Sequence, residues 1–292
     1  MQQAQLSPSL VPSTLAAIIE QAWEKRQEIS PQTVGEIKES VQAVMQALDD
    51  GNLRVVDPEA NWAVREWVKK AVLLSFRLSA NKTMPGFTPD ILAAGASYYF
   101  YDKAPLKFAG WHDTDFAAAG FRAVPGAIVR YGAYIAPNVV LMPCFINIGA
   151  WIGANTMIDI GAVVSSCAQV GKDCHISAGV LIGGVLEPLQ ATPVIIEDHC
   201  FIGMNSNIAE GVVVEQGSVI SMGVNIGAST RIVDRETGEI FYGRVPAGSV
   251  VVPGTYQPEK AVAGIAQSCA VIVKKVDAGT RQKTSINELL RD

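Results

Sequence analysis

The first hundred residues place apolar side chains at the spacing of one α-helix face. Within PSTLAAIIEQAWEKRQEI apolar positions recur every three to four residues, and two later stretches repeat this pattern. Ser13 is a candidate N-cap of the first helix, and Gly51 follows the second at a C-cap position. The sequence therefore predicts an N-terminal helical domain over residues 1–109. Its helices are expected at residues 12–29, 34–51 and 61–78.

The middle of the chain has a different period, in which an aliphatic residue returns at every sixth position. Nine of the ten positions in the first run are Ile or Val, and all seven positions in the second run are. A small residue follows four positions later in most repeats. The first run is Ile128, Tyr134, Val140, Ile146, Ile152, Ile158, Val164, Val170, Ile176 and Ile182. The second run is Ile196, Ile202, Ile208, Val214, Ile220, Ile226 and Ile232.

A six-residue period does not fit an α-helix face, whereas it fits a short strand followed by a turn. Three such units close one triangular coil of about 18 residues, the arrangement of a parallel β-helix. Residues 18 apart should then stack, so that Val140, Ile158 and Ile176 form one inward column. We expect the β-helix to occupy residues 110–253. Because each coil buries its interior only against its neighbours, the ends need caps, and the helical domain is a natural one.

Two segments depart from the repeat. Ile182 and Ile196 are two residues further apart than two repeats, so GGVLEPLQATP (183–193) is expected to leave the coil as a loop. The loop is either a surface decoration or a lid over a site. Residues 254–292 are expected to form a C-terminal extension. In it CAVIVKKVD (269–277) is typical of a strand and INELLRD (286–292) of a terminal helix.

Composition narrows the class of protein. The formal net charge is −5 and 17% of residues are charged, which argues against a nucleic-acid or anionic-membrane surface and favours extensive packed or subunit-covered surface. No apolar stretch is long enough to span a membrane, and MQQAQLSPS lacks the pattern of a secretory signal. The five cysteines form no CxxC pair, which favours a reducing cytoplasm over a disulfide framework.

One acid stands alone in the repeat region. Between Arg130 and Lys172 lie 41 residues, and Asp159 in NTMIDIGAVV is the only charged one. Taking a carboxylate out of water costs several kcal/mol unless it is partnered. Asp159 directly follows Ile158, which is an inward position of the six-residue repeat. The repeat therefore predicts that the Asp159 side chain points out of the coil. Asp159 is thus a candidate catalytic group.

Five runs carry a resemblance that extends from about Leu15 to the C-terminal NELLR. They closely resemble the 2,3,4,5-tetrahydropyridine-2,6-dicarboxylate N-succinyltransferase family of hexapeptide acyltransferases. The resemblance implies a left-handed parallel β-helix, a homotrimer and CoA bound between subunits. It also implies transfer of succinyl from succinyl-CoA to the amino group of ring-opened tetrahydrodipicolinate, in diaminopimelate and lysine biosynthesis. The runs are KKAVLLSFRL (69–78), SSCAQVGKDCHIS (165–177), IGGVLEPLQATPVIIEDHCFIG (182–203), EQGSVISMGVNIG (215–227) and STRIVDRETGEIFYGRVPAGSVVV (229–252).

The same resemblance implies two site residues. Asp159 matches the essential aspartate of the family motif GTMVD, here NTMID, and would orient and deprotonate the amino group. Arg122 in GFRAVPG matches an arginine that binds a substrate carboxylate, a task that suits a bidentate guanidinium. The structural alternative for Asp159 is an acid hydrogen-bonded to a turn, and the structural alternative for Arg122 is a surface cation.

The sequence departs from the family pattern beside this site. FIGMNSN stands where the family has FIGARSE, so Asn205 replaces an arginine and Asn207 replaces a second acid implicated in activity. Asparagine carries no charge and is not a base, although it can still hydrogen-bond a substrate. IGAVVSSC also replaces the family's TWATVGSC. These changes leave the acyl donor and acceptor open.

The remaining candidates belong to CoA and to the histidines. Backbone groups of Ser221, Gly223 and Ala228 could hold the pantetheine arm, and Arg244, Lys274 and Lys275 could bind phosphates, although Lys–Lys pairs usually form a solvated face. His175 and His199 are expected to be structural. The chain has three histidines in total, and the zinc carbonic anhydrase variant of this fold needs three imidazoles converging on one metal, so the sequence argues against that variant. Cys144, Cys174 and Cys200 occupy small-residue positions and are expected to pack.

Three hypotheses follow for the function. The first is the trimeric N-succinyltransferase, with no permanently bound cofactor. The second is a paralogue that uses acetyl-CoA or a related amino-acid acceptor in an antimetabolite pathway branching from lysine biosynthesis, of the kind that makes tabtoxin-like β-lactams. The third is a non-catalytic β-helix scaffold, against which the retained Asp159, Arg122 and loop argue.

Overall fold

The computed structural model describes residues 12–85, 99–258 and 264–284. The predicted helix INELLRD lies outside these residues. Among the described residues, no helix is long and apolar enough to cross a membrane. The helices are α1 (Pro12–Glu24), α2 (Glu36–Asp49), α3 (Glu66–Arg77), α4 (Asp113–Ala119) and α5 (Ala278–Thr284).

The predicted helices form, with three corrections at their ends. The first helix ends at Glu24 rather than near residue 29, and residues 25–28 form a turn. The prediction of Ser13 as N-cap is wrong, because α1 already includes Pro12 and proline favours the first helical turn. Gly51 is confirmed: it has φ 76°, and a bond from Asn52 N–H to Ala47 O closes a Schellman turn. The third helix begins at Glu66 rather than near residue 61, because residues 56–64 form a short antiparallel hairpin instead.

Most strands are two residues long. Outside the coils the N-terminal strands are β1 (Val56–Asp57), β2 (Ala63–Val64), β3 (Lys82–Pro85) and β4 (Tyr99–Asp102). The lower coils contain β5 (Arg122–Ala123), β6 (Ile128–Val129), β7 (Tyr134–Ile135), β8 (Val140–Leu141), β9 (Phe145–Ile146), β10 (Trp151–Ile152), β11 (Met157–Ile158), β12 (Val163–Val164), β13 (Gln169–Val170), β14 (His175–Ile176) and β15 (Leu181–Ile182). The upper coils and the C-terminal region contain β16 (Ile195–Ile196), β17 (Phe201–Ile202), β18 (Asn207–Ile208), β19 (Val213–Val214), β20 (Val219–Ile220), β21 (Asn225–Ile226), β22 (Ile232–Asp234), β23 (Ile240–Phe241), β24 (Arg244–Val245), β25 (Ser249–Tyr256) and β26 (Gln267–Lys275).

The short strands stack into three parallel sheets, which are the faces of a parallel β-helix. Face 1 contains β5, β8, β11, β14, β17, β20 and β25; face 2 contains β6, β9, β12, β15, β18 and β21; face 3 contains β7, β10, β13, β16, β19 and β24. Each strand pairs in parallel with the strand one coil away on the same face. The predicted β-helix with N-terminal helices is thereby confirmed.

The inward column follows the six-residue phase from Ile146 onwards, and Ile158, Ile176 and Ile202 are completely buried. The expected stacking of Val140 under Ile158 is wrong, because Leu141 is the partner of Ile158. The turn between Leu141 and Ile146 is one residue shorter than the others, so every inward position before it shifts by one. A one-residue shift exchanges the inward and outward side chains of a strand.

The helical region covers face 3. Val56 of the hairpin packs against the outward side chains of Ile195 and Val213. Trp62 Nε1–H donates to Glu197 Oε1 at 3.1 Å, and Arg54 Nε–H donates to Gln169 Oε1 at 2.9 Å. These contacts attach the N-terminal region to the middle coils as well as to one end.

Face 2 carries apolar side chains that the described residues leave partly exposed. Its outward column begins with Ile128, Phe145 and Val163, which are half-buried, and continues to Leu181, which is 39% exposed. The adjoining corner between faces 1 and 2, called the 1–2 corner below, adds further exposed apolar residues. They are Ile160, Met204 and Met222, which are 55%, 46% and 64% exposed.

The chain ends in a larger antiparallel pair of strands. The strand predicted over residues 269–277 is confirmed as β26, which pairs with β25. The helix α5 was not predicted. Since β25 crosses residue 253, it joins the last coil to the C-terminal region, and the proposed division into three domains stays a prediction.

Candidate active site

Asp159 lies in the 1–2 corner, immediately after the inward Ile158. Its side chain is 28% exposed and points out of the coil, as the phase predicts. The backbone N–H of Ile160 donates to Asp159 Oδ1 at 2.7 Å, which fixes the orientation of the carboxylate. Oδ2 is thus left to face the groups on the next coil.

His175 on β14 is the group that faces this carboxylate. Its Nε2 lies 3.7 Å from Asp159 Oδ2, and that nitrogen is buried with no hydrogen-bond partner. The Phe201 ring packs edge-on against the imidazole at 5.2 Å. Burial lowers the pKa of His175 from its ordinary value, and the Asp159 carboxylate opposes that shift. This partner was not predicted from the sequence, although Met157 and His175 are 18 residues apart, the spacing of stacked positions.

Asn205 lies in the same corner as Asp159, two coils further along. Successive turns of this corner are joined by bonds from Gly179 N–H to Ile160 O and from Asn205 N–H to Ala178 O. Asn205 has φ 56°, a left-handed conformation that asparagine tolerates well, and its side-chain oxygen lies over Gly179. Its assignment as a substrate-binding residue stays a prediction.

Asn207 begins β18 and points outward from face 2. Its Nδ2 donates to Asn225 Oδ1 at 2.5 Å, so the two amides form a short ladder across adjacent coils. Both residues are exposed and uncharged. The outward surface of face 2 therefore carries neutral hydrogen-bonding groups on the coils that follow its apolar column.

Arg122 on β5 lies on face 1, as does His175. On the ladder Arg122 pairs with Val140, and Val140 pairs with Met157. Two strand spacings separate the Arg122 and Met157 backbones, which is about 10 Å. The structure thus places Arg122 on the face that adjoins Asp159 and describes no contact between the two. The assignment of Arg122 to a substrate carboxylate stays a prediction.

The three candidates for holding the pantetheine arm of CoA lie in two different corners of the β-helix. Ser221 and Gly223 lie in the 1–2 corner, with their N–H groups bonded to Val251 O and Met204 O. Ala228 lies in the next corner, where its N–H donates to Glu210 Oε2 at 2.9 Å. These three N–H groups are therefore already used within the chain. Their role with a pantetheine arm stays a prediction.

Each of the three phosphate candidates has a partner within the chain. Arg244 Nη1 lies 2.7 Å from Glu215 Oε1, and Lys274 Nζ lies 2.6 Å from Asp277 Oδ2. Lys275 Nζ donates to Ala247 O at 3.0 Å and to Ser249 Oγ at 3.2 Å. A phosphate would have to compete with these contacts, and the assignment stays a prediction.

The predicted loop leaves the coil as expected, because β15 ends at Ile182 and β16 begins at Ile195. A buried cation from the helical region holds it. Lys69 is completely buried, and its Nζ donates to Pro188 O, Leu189 O and Ala191 O at 3.4, 3.0 and 2.7 Å. Burial lowers the pKa of Lys69. Lys69 belongs to the family run KKAVLLSFRL, but this role was not predicted from the sequence. The role of the loop as a lid stays a prediction.

Within the described part of the chain, the remaining titratable groups give no second centre. Among the residues that the structure describes, no group of three or more His, Cys, Asp or Glu side chains could hold a metal ion. The five cysteines are free and buried, and burial raises the pKa of Cys144 and Cys167 to about 12. His199 faces Asp173 at 3.6 Å in the corner between faces 3 and 1.

Three family models match the chain. Residues 14–78 match the tetrahydrodipicolinate N-succinyltransferase N-terminal family. Residues 149–184 match the bacterial transferase hexapeptide family, and residues 193–228 match the hexapeptide repeat of succinyl-transferase. The helical region and the repeats are therefore matched by models that describe succinyltransferases and hexapeptide transferases.

Curated relatives match the chain over nearly its full length. The 2,3,4,5-tetrahydropyridine-2,6-dicarboxylate N-succinyltransferase of Paramagnetospirillum magneticum is 59% identical, and the match covers 96% of this chain and 99% of that protein. The enzyme of the same name from Polynucleobacter asymbioticus is 56% identical over 94% of this chain and 98% of its own length.

A solved structure shares the fold. The crystal structure of a putative 2,3,4,5-tetrahydropyridine-2-carboxylate N-succinyltransferase from Campylobacter jejuni superposes with a TM-score of 0.53 at 17% identity, over 82% of this chain and 63% of that one. At this identity the likeness concerns the fold alone. The full-length identities to the curated relatives place the sequence more narrowly: the chain belongs to the tetrahydrodipicolinate N-succinyltransferase family.

Proposed function

We propose that this protein transfers a succinyl group from succinyl-CoA to the amino group of ring-opened tetrahydrodipicolinate, in diaminopimelate and lysine biosynthesis. The observation that carries the proposal is the full-length identity to curated enzymes of that name, 59% in one case. The exposed Asp159 carboxylate, alone in an uncharged segment, supplies a group suited to the chemistry.

The reaction needs one base and good alignment of two reactants. The ammonium group of the acceptor gives one proton to Asp159, and the free amine attacks the thioester carbonyl carbon. A C–N bond forms and the C–S bond breaks. The nitrogen loses a second proton as the CoA thiolate is protonated, so the products are an amide, CoA thiol and one proton. No covalent enzyme intermediate is required.

We propose that the working site forms between subunits of a homotrimer. The partly exposed apolar column of face 2, which ends at Leu181, and the exposed Ile160 and Met204 favour burial against another copy. Asp159 adjoins this surface. An Arg122 from a neighbouring copy could then reach a carboxylate of the acceptor, since the two residues of one chain lie on separate coils.

In this arrangement CoA would bind along the 1–2 corner. Ser221 and Gly223 lie in that corner, and Asn205 and Asn207 offer neutral hydrogen-bonding groups to the acyl chain or the acceptor. Arg244 lies on face 3 and Lys274 and Lys275 lie on β26, so these cations would meet the phosphates only where CoA extends beyond the corner or from a neighbouring copy, in exchange for their present partners. We also propose a cytoplasmic location, which the five free cysteines support.

The test is a CoA-release assay with purified protein, the acceptor and either succinyl-CoA or acetyl-CoA. We expect kcat/KM to be higher with succinyl-CoA, and a mass spectrum of the product made from an equimolar mixture of donors should show the succinyl amide. Turnover with succinyl-CoA no faster than with acetyl-CoA would contradict the donor assignment. Failure to bind any acyl-CoA in calorimetry would favour a non-catalytic scaffold.

A second candidate is the same transfer with an uncharged donor such as acetyl-CoA, or with a related amino-acid acceptor. The observation that favours it is that, among the described residues, the 1–2 corner and the face 2 column offer amides and no cation around Asn205 and Asn207. A succinyl carboxylate would find the amides of Asn205 and Asn207 there rather than a cation. Acetyl-CoA preference, together with failure to restore growth of a diaminopimelate-requiring strain, would support this candidate.

A further inference from the structure

We infer that His175 is a positioning residue of the acyl transfer: its Nε2 donates a hydrogen bond to Asp159 Oδ2 during the reaction and holds that carboxylate for the proton transfer. The inference deepens the proposed function and depends on it for its kinetic test. It rests on the geometry of two side chains from adjacent coils.

The pairing is built by the register of the β-helix. Met157 and His175 are direct partners on face 1, so Asp159 and the imidazole meet where face 1 turns into the 1–2 corner. Ile176 takes the inward position and is completely buried, which turns the His175 side chain outward. A merely core-filling histidine would point the other way.

The unsatisfied nitrogen is the strongest sign that this pair is incomplete. Buried polar atoms in native proteins almost always have a hydrogen-bond partner, and leaving such an atom without one costs about 1–3 kcal/mol. The separation of 3.7 Å between His175 Nε2 and Asp159 Oδ2 exceeds a hydrogen bond by roughly 0.8 Å. Catalytic hydrogen bonds are often long without substrate and shorten in the reactive complex.

The surroundings of His175 contain one dominant charge. Asp159 faces the imidazole from the β11 side, and Phe201 on β17 contributes an uncharged ring edge. Lys172 and Asp173 precede His175 in the corner between faces 3 and 1, where they lie near Asp198 and His199 respectively. Arg122 lies on face 1, three strands below.

The proton assignment follows from this environment. Since burial lowers the pKa of His175, the imidazole is neutral at pH 7 and carries its one proton on Nε2 when it donates to Asp159. That bond fixes Oδ2 while Oδ1 is held by Ile160 N–H. Protonation of His175 at low pH would turn the pair into an ion pair and weaken Asp159 as a base. On this proposal kcat depends on the ionisation of His175.

The kinetic test compares pH profiles of the wild-type protein, His175→Gln and the control His199→Asn. We expect His175→Gln to lower kcat by about 10-fold to 100-fold, with little change in KM. This is the loss typical of removing a side chain that hydrogen-bonds and orients a functional group. Its acidic limb should also move to lower pH. His199→Asn keeps a residue that tolerates the left-handed backbone at that position, and it should leave both kcat and the limb unchanged. Equal profiles for wild type and His175→Gln would overturn the inference.

A second measurement does not depend on turnover. The chain has three histidines, so their imidazole NMR signals can be assigned by single substitutions. Asp159→Asn removes the carboxylate that opposes the lowering of the His175 pKa, and the pKa should therefore fall further. Asp173→Asn should leave the His175 titration in place. An unchanged His175 titration in Asp159→Asn would overturn the pairing, whereas a wild-type protein without turnover would count against the proposed function alone.

Discussion

The ammonium of Lys69 on α3 lies 2.7 Å from the carbonyl oxygen of Ala191, in the loop that leaves the β-helix. Two more carbonyls of the same loop complete its coordination, and the side chain is completely buried. A buried charge is costly unless its hydrogen bonds are made, and here three carbonyl dipoles make them. The helical region thus fixes the conformation of the loop.

Replacing Lys69 by methionine should loosen this loop. The carbonyls of Pro188, Leu189 and Ala191 would lose their donor, so we expect the free energy of unfolding to fall by about 1–3 kcal/mol. Amide hydrogen exchange over residues 184–192 should speed up. Lys70→Met is the control, because Lys70 pairs with Glu20 within the helical region. A loop that exchanges equally slowly in both variants would contradict this role.

The same lysine should make stability depend on pH. The pKa of Lys69 in the folded protein is lowered from 10.5, so the unfolded chain binds more protons between the two pKa values. The contribution of Lys69 to the free energy of unfolding therefore rises with pH across that window. Denaturant unfolding from pH 7.5 to 10.5 should show wild type gaining stability relative to Lys69→Met. A difference in the free energy of unfolding that stays constant over this range would mean that burial does not lower the pKa of Lys69.

Asp159→Asn should abolish the acyl transfer while the fold is kept. The amide accepts a hydrogen bond from Ile160 N–H as the carboxylate does, but it cannot take a proton. We expect kcat to fall by about 100-fold or more, the contribution of a general base. Asp173→Asn changes another turn aspartate that faces a histidine, and it should retain near-normal kcat. Near-normal turnover of Asp159→Asn would refute the assignment.

A charge on face 2 should break the proposed trimer. Leu181 is 39% exposed in the single chain, and Leu181→Glu would place a carboxylate in the apolar surface between copies. We expect analytical ultracentrifugation to show smaller species at micromolar concentration. Val34→Glu, at a position that is 77% exposed in the helical region, should leave the assembly intact. A wild-type protein that sediments as a monomer would contradict the proposed assembly.

Restoring a cation to the 1–2 corner should change donor preference. Asn205→Arg adds a guanidinium that can pair with a succinyl carboxylate, a charge-assisted bond of about 1.5–3 kcal/mol. The ratio of kcat/KM for succinyl-CoA over acetyl-CoA should rise by about ten-fold or more. Asn138→Arg is the control, because Asn138 is also exposed and has φ 61° in a turn of an early coil. An unchanged ratio would place the acyl carboxylate away from Asn205.

The sequence predicted the architecture because the signal for it is local. An aliphatic residue at every sixth position requires an inward side chain in each strand, and this holds from Ile146 to Ile232. The same period placed Asp159 on the outside of the coil. It was wrong for Val140, since a turn shortened by one residue cannot be recognised from an aliphatic pair such as Val140–Leu141.

The tertiary structure decided which distant side chains meet. Lys69 and Ala191 are 122 positions apart, and nothing in either segment indicates that a buried ammonium joins them. His175 and Asp159 meet only because adjacent coils stack in a definite register. The repeat determined which side of each strand is buried, because that depends on a residue and its immediate neighbours. The partners of the outward side chains depended on how coils, helices and loop pack, which is a property of the whole chain.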